Sequence, residues 1–101
     1  YALYKSSYTA LIANKAALDA DEKVTIAGKC CESGDLIQEN TYIQKPEVGD
    51  VMAVLSTGAY NYSMSSNYNR IPRPAVVMVN GNESRVIVKR ETYEDLIRND
   101  I

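Results

Sequence analysis

Cys31 and Glu32 stand side by side in the run Lys29-Cys30-Cys31-Glu32-Ser33-Gly34-Asp35. A cysteine thiol, with an ordinary pKa of about 8.5, is both a nucleophile and a proton donor. A carboxylate beside it can bind an ammonium group or orient the thiol. The same residues admit a plainer reading, in which one cysteine faces the core and the other is incidental. Cys30 adjoins a strand pattern and reads as a small buried apolar residue. A second group is Gly58-Ala59-Tyr60, directly after the most apolar stretch of the chain. Glycine lets a ligand approach the backbone. A tyrosine hydroxyl can donate to a phosphate or carboxylate, and its ring can pack on a cofactor. From the residues alone the preferred reading here is a surface loop with packed tyrosines. Arg70 and Arg73 can bind anions, although exposed arginines are common. Asp35 and Asp50 adjoin glycines and read as turn residues.

Composition narrows the chemistry. The 101 residues contain no histidine and two cysteines, which are adjacent. Histidine-based triads, histidine-ligated haem and zinc fingers with histidine ligands are excluded, as is a four-thiolate zinc site within the chain. A general acid or base must be Cys, Tyr, Lys or a carboxylate. Neighbouring cysteines rarely bridge each other, so the pair fits a reducing compartment, and a cytoplasmic location is expected. A net charge of -2 without a basic stripe argues against a nucleic-acid partner. No apolar run approaches the length of a membrane span, and no membrane association is expected. The 46% hydrophobic and 24% charged content is that of an ordinary folded domain. The first residue is Tyr1, so the chain is expected to begin inside a longer protein.

The elements that must position these residues are mostly strands. Leu3, Tyr4, Tyr8, Leu11 and Ile12 fall near helical spacing, which predicts a helix over the opening 17 residues; a short helix followed by a strand through 11–13 is the alternative. Val24 and Ile26 alternate in a strand near 24–29, which leads into the polar loop holding Cys31. A short strand is expected around 41–43. Pro46 and Gly49 bracket a turn, and 51–57 reads as a core strand covered on both faces. Residues 57–74 form a long Tyr-, Ser- and Asn-rich loop, of a kind that often serves a function. Strands at 75–80 and 84–89 flank the hairpin signal Asn80-Gly81. Thr92 with Asp95 three residues on predicts a capping box and a short helix near 93–98. The pattern is mainly β, a barrel or sandwich-like single domain over 1–101, with a short C-terminal helix.

The motifs resemble a known family. Ala2-Leu3-Tyr4 is similar to its Arg-Pro-x-Leu-Tyr element and Cys31-Glu32-Ser33-Gly34-Asp35 to its Cys-Glu-Ser-Gly-Asp motif. Gly49-Asp50 resembles the Gly-Asp before a core strand. Gly58-Ala59-Tyr60, with Ser63-Met64-Ser65-Ser66 and Tyr68-Asn69, resembles its Gly-Ala-Tyr segment, and 90–96 its closing segment. Five such segments in order resemble the C-terminal β-domain of the diaminopimelate decarboxylase family. These are pyridoxal-phosphate enzymes related to ornithine and arginine decarboxylases and, in architecture, to alanine racemase.

The resemblance implies a C-terminal β-barrel or sandwich domain and makes part of the opening segment a strand. It assigns Cys31 as proton donor, Glu32 as the contact to the distal amino-acid end of the substrate, Tyr4 as a substrate contact, and Tyr60 as a residue beside cofactor and substrate. It implies decarboxylation of meso-diaminopimelate to L-lysine and carbon dioxide by a homodimer with shared active sites. The (β/α)8 barrel and its cofactor-binding lysine would lie upstream, with a substrate-binding Arg one residue before Tyr1. The family usually has Pro where Tyr1 stands. This chain alone is therefore expected neither to bind pyridoxal phosphate nor to be active. Glu32 speaks against an ornithine decarboxylase, where Asp is usual. Two alternatives are a related ornithine- or arginine-type enzyme and a non-catalytic β-domain used for binding or dimerisation.

Overall fold

The computed structural model describes residues 7–101. Its strands are β1 (Ala10–Ile12), β2 (Glu22–Ala27), β3 (Leu36–Ile43), β4 (Met52–Val54), β5 (Val76–Asn80) and β6 (Glu83–Val88); one helix, α1, spans Tyr93–Ile97. The strands pair antiparallel as β1–β4, β2–β3 and β5–β6, giving three two-stranded sheets. The fold is thus mainly β with a short helix, as expected, and among the described residues no sheet is closed into a barrel. Two compact units divide the chain, Tyr1–Tyr62 and Ser63–Ile101.

In the first unit, β2 and β3 form a hairpin whose register slips twice. Val24 pairs with Thr41 but Ile26 with Gln38, and Ala27 then pairs with Leu36. At the first slip Asn40 takes φ 51°, the left-handed conformation that Asn tolerates and that a bulge requires. β3 therefore runs well beyond the expected 41–43, because bulges absorb the mismatch instead of ending the strand.

β1 overturns the helical reading of the opening segment over the described residues. Ala10, Leu11 and Ile12 pair with Val54, Ala53 and Met52, and a single 3-10 turn follows at Ala13–Lys15. Three residues of helical spacing are a weak local preference, and pairing with a distant strand outweighs it. The strand alternative, and the strand implied by the resemblance, fit this segment. Leu3 and Tyr4 lie outside the described residues.

Backbone groups along a strand face its two edges alternately. One edge of β1 faces β4, extended by Leu55 N–H to Thr9 C=O (2.8 Å) and Ala13 N–H to Val51 C=O (2.7 Å). The other edge is met by side chains of, and just beyond, β3. Tyr8 N–H donates to Gln38 Oε1 at 2.9 Å and Ile12 N–H to Gln44 Oε1 at 2.9 Å. Gln44 also reaches the Leu18 carbonyl at 3.4 Å. Ile12 and Ile43, 1% and 2% exposed, form the core with Ala10, and Gln44 beside them is 4% exposed.

A second clasp closes the turn before β4. Glu47–Asp50 is a turn with Asp50 N–H on Glu47 C=O at 3.1 Å and Gly49 at φ +96°, a position that favours glycine. The Asp50 carboxylate accepts from Lys15 Nζ (2.8 Å), Asn14 Nδ2 (2.9 Å) and Glu47 N–H (2.8 Å). Asn14 Oδ1 in turn accepts from Val51 N–H at 2.9 Å. The expected turn role of Asp50 holds, and it extends to a tie across some 35 residues. Residues 51–57 depart from the buried-strand expectation. Only Met52–Val54 are strand, and Val51 is 60% and Leu55 43% exposed. Pairing along an edge satisfies backbone groups but does not by itself cover the face of a strand.

In the second unit β5 and β6 form the expected hairpin. Asn80 pairs with Glu83, so the two-residue turn is Gly81-Asn82. Gly81 has φ +60° at the first central position, where a type II′ turn places glycine. α1 begins with the expected capping box: Asp95 N–H on Thr92 Oγ1 (3.2 Å) and Thr92 N–H on the Asp95 carboxylate (2.8 Å). The long loop is organised by Arg73 and Glu91. Arg73 N–H donates to Glu91 Oε1 at 2.6 Å, Asn67 Nδ2 donates to the same oxygen at 2.7 Å, and the Arg73 guanidinium reaches Ser65, Asn67 and Glu91. Arg73 is thereby committed to structure, and Arg70 pairs with Asp100 at 3.0 Å.

Two outcomes are expected. Gln44→Leu removes the acceptor for a buried N–H of β1 and should lower stability by about 1–3 kcal/mol in urea denaturation. Asp50 sits at a pKa of about 2, held below 3.8 first by the Lys15 hydrogen bond and then by Asn14 and the Glu47 N–H, against the opposing effect of burial. Its stabilisation is complete above the ordinary carboxylate value and is lost as pH falls towards 2. Asp50→Asn should therefore flatten the acid limb of thermal stability between roughly pH 4 and pH 2, with little further change in its slope near neutrality.

Candidate functional site

The hairpin β2–β3 ends in a loop closed at its neck by Gly28 N–H donating to Asp35 C=O at 2.9 Å. Between these residues lie Cys31 and Glu32, so the sequence expectation of a loop leaving a strand is met. Cys30 N–H donates to Asp35 Oδ2 at 2.8 Å. Asp35 N–H donates to Glu32 C=O at 3.1 Å, and Glu32 N–H to Cys30 C=O at 2.8 Å. The last bond spans two residues and makes Cys31 the centre of a three-residue turn. Gly34 N–H (2.9 Å) and Ser33 Oγ (3.3 Å) donate to Glu32 Oε1. That carboxylate is oriented by its own loop and remains exposed.

The two cysteines occupy different surroundings. Neither is in a disulfide; Cys31 is exposed and Cys30 half-buried. Burial pushes the Cys30 thiol up, and the charge of Asp35 and a hydrogen bond to it add to the effect. The expectation of a packed Cys30 is met in part. It is half-buried, and the group facing it is the Asp35 carboxylate.

Tyr60 belongs to the same unit but to another segment, the turn after β4, where Asn61 N–H donates to Thr57 C=O at 3.2 Å. It is 72% exposed. A Cβ at Gly58 would meet no atom within 4 Å, so packing inside the chain does not require glycine there. Tyr4 lies outside the described residues. The structure thus brings Cys31 and Glu32 together on one loop and carries Tyr60 on a different strand exit. Asp35 is the site residue that sequence reasoning undervalued. Its place at the end of the motif was visible, but its bonds to both neighbours of Cys31 were not. Among the described residues no group of three or more Cys, Asp or Glu could hold a metal ion, and no helix is long and apolar enough to cross a membrane.

The chain that carries this loop is similar to known proteins. The chain belongs to the family described as pyridoxal-dependent decarboxylase, C-terminal sheet domain, which matches residues 1–58. Among curated relatives, the diaminopimelate decarboxylase of Bacillus subtilis is 52% identical over 100 residues, covering 99% of this chain and 23% of that protein. That of Bacillus methanolicus is 56% identical over 90 residues, covering 89% of this chain and 21% of that protein. The crystal structure of diaminopimelate decarboxylase from M. jannaschii in complex with L-lysine superposes with a TM-score of 0.87 at 39% identity, covering 99% of this chain and 23% of that one. The chain therefore spans about a quarter of the length of the relatives it matches.

The contrast between the cysteines has a measurable consequence. Iodoacetamide at mildly alkaline pH should alkylate Cys31 well before Cys30, since the thiolate is the reactive form and burial with Asp35 disfavours it at Cys30. Peptide mass spectrometry over a time course reads the order directly.

Proposed function

We propose that this chain is the C-terminal β-domain, 1–101, of a diaminopimelate decarboxylase, in which it completes the active site. The observation that carries the reading is the Cys31–Glu32 loop in a chain whose near-full length aligns with enzymes of that name at 52% and 56% identity. In the whole protein the sheets described above would belong to a closed barrel or sandwich, appended to a (β/α)8 barrel that supplies the cofactor-binding lysine. The reaction is removal of one carboxylate of meso-diaminopimelate to give L-lysine and carbon dioxide.

Pyridoxal phosphate, when bound, supplies the electron sink that accepts the electron pair left by the departing carboxylate. Of this chain's residues, Tyr60 is suited to hold it. Its exposed phenol can donate to a phosphate oxygen, and its ring offers an apolar face. Cys31, exposed at the loop tip, can place a thiol proton at the substrate Cα. Glu32, with one carboxylate oxygen held by Gly34 N–H, presents a fixed negative charge suited to the distal ammonium of the substrate. Tyr4 is assigned to the substrate by the resemblance alone.

We further propose a homodimer in which Cys31 and Glu32 serve the partner's cofactor while Tyr60 serves its own. A projecting hairpin loop is the kind of element that reaches a neighbouring pocket. On this reading the isolated chain does not hold the cofactor by itself.

The test uses the full-length enzyme. Cys31→Ala should lower kcat by roughly 10²–10⁴-fold, the range of a general acid, while Glu32→Ala should raise KM and lower kcat/KM. Mixing two inactive variants, Cys31→Ala and one lacking the cofactor-binding lysine, should restore activity towards about a quarter of the parent with random subunit exchange, because each mixed dimer has one intact site. Heterodimers that form without regaining activity would place the cysteine in its own subunit's site.

A further inference from the structure

The loop bearing Cys31 and Glu32 is held from one residue. Asp35 meets it at three points. Its C=O accepts from Gly28 N–H at the neck, its N–H donates to Glu32 C=O, and its carboxylate accepts from Cys30 N–H at 2.8 Å. Cys30 and Glu32 are the two neighbours of Cys31, so both flanks of that residue are bonded to Asp35. The space for the carboxylate is provided by Gly28. A Cβ there would fall on the Asp35 carboxylate, closer than real side-chain carbons approach. Gly28 does not take a left-handed φ, so its lack of a side chain matters for room and not for backbone conformation.

From this geometry we infer that Asp35 is a positioning residue, whose carboxylate, seated against Gly28, fixes the turn that aims Cys31 and Glu32. The inference rests on the roles given to those two residues under the proposed function. Three of the four bonds that shape the turn are backbone to backbone and survive any substitution. The carboxylate bond to Cys30 N–H is the one a side-chain change removes. Without it the Cys30 end of the turn keeps only the Glu32 N–H on its carbonyl, and the exposed thiol of Cys31 samples other directions. The carboxylate also opposes ionisation of the Cys30 thiol, which separates the two adjacent cysteines chemically. Asn at position 35 keeps one acceptor oxygen for the Cys30 N–H. Ala keeps none.

The experiment compares Asp35→Ala, Asp35→Asn, Gly28→Ala and the Gly28→Ala/Asp35→Ala double variant in the full-length holoenzyme, with Cys31→Ala as reference. It reads kcat and KM for diaminopimelate, Tm, and the sites alkylated by iodoacetamide in the absence of substrate. Asp35→Ala should lower kcat/KM by about tenfold or more, as misplacement of a reacting group does, with kcat falling and Tm staying near the parent. Asp35→Asn should recover most of the loss. Gly28→Ala should be damaging alone but add little in the Asp35→Ala background, where the carboxylate it collides with is gone. Alkylation should spread from Cys31 to Cys30 once the carboxylate is removed. Parental kinetics for Asp35→Ala beside a strongly impaired Cys31→Ala would overturn the inference, as would losses for Gly28→Ala and Asp35→Ala that simply multiply. If Asp35→Ala does not fold, a folded Asp35→Asn as poor as Cys31→Ala overturns it and a folded, active one upholds it. If Cys31→Ala keeps full activity, the catalytic reading of the loop fails. The alkylation pattern and the Gly28/Asp35 coupling in Tm then decide the positioning claim alone.

Discussion

The free edge of β1 governs the first unit. A three-residue strand paired on one side leaves N–H groups on its other side, and a buried N–H without an acceptor costs about 1–3 kcal/mol. Among the described residues no third strand pairs with that edge. Gln38 and Gln44 reach it with side-chain carbonyls and accept from Tyr8 and Ile12. Because Gln38 lies on β3 and Gln44 follows it directly, these two bonds fasten the β2–β3 hairpin to the β1–β4 pair. The loop with Cys31 hangs from that hairpin, and the turn with Tyr60 follows β4. These two amide side chains thus help set the relative placement of the two candidate site segments.

The same device recurs wherever regular pairing runs out. Asp50 ties Lys15 and Asn14 to the turn before β4. Asp35 ties the flanks of Cys31. In the second unit Glu91 accepts from both Arg73 N–H and Asn67 Nδ2 and so gathers a segment with almost no regular structure. Each is a carboxylate accepting from backbone or side-chain donors, close in sequence for Asp35 and 18 to 36 residues away for Asp50 and Glu91. Charge-assisted bonds of this kind are stronger than neutral ones. They suit a chain whose fully buried hydrophobic core comprises only Ala10, Ile12 and Ile43 among the described residues.

What could be read in the sequence follows from this. The β5–β6 hairpin, the capping box of α1 and the loop after β2 were legible because each is set by local chemistry, namely a turn glycine, a Thr and Asp at fixed spacing, and a polar run ending a strand. The spacing around β1 leaves helix and a strand through 11–13 both open, because its pairing partner lies 40 residues away. The burial of 51–57 was misjudged because apolar content reports a preference for burial, not the existence of a layer to provide it. Gln38 and Gln44 were passed over because nothing local marks a glutamine as an acceptor for a distant strand. The Cys31–Glu32 pair was visible from residue type, yet only the resemblance weighed it above the incidental reading. The bonds of Asp35 are set by the fold of the loop, which residue type alone does not reveal.

Exposure of the site residues bears on how the chain works. A thiol proton donor in open water competes with solvent, and an exposed carboxylate holds an ammonium only weakly, since both gain strength when water is excluded. Cys31, Glu32 and Tyr60 are all exposed on this chain, while the bonds that orient their backbones are already made. The entropy of ordering the loop is therefore met within the domain, and what remains to be supplied is cover. A surface that closes over a preformed loop gains the full strength of its charges without having to arrange them. In the proposed shared active site, geometry would be fixed in this domain and desolvation supplied by another surface. That division also accounts for a loop in which a side chain as costly to fix as a carboxylate is spent on holding two neighbours of a cysteine in place.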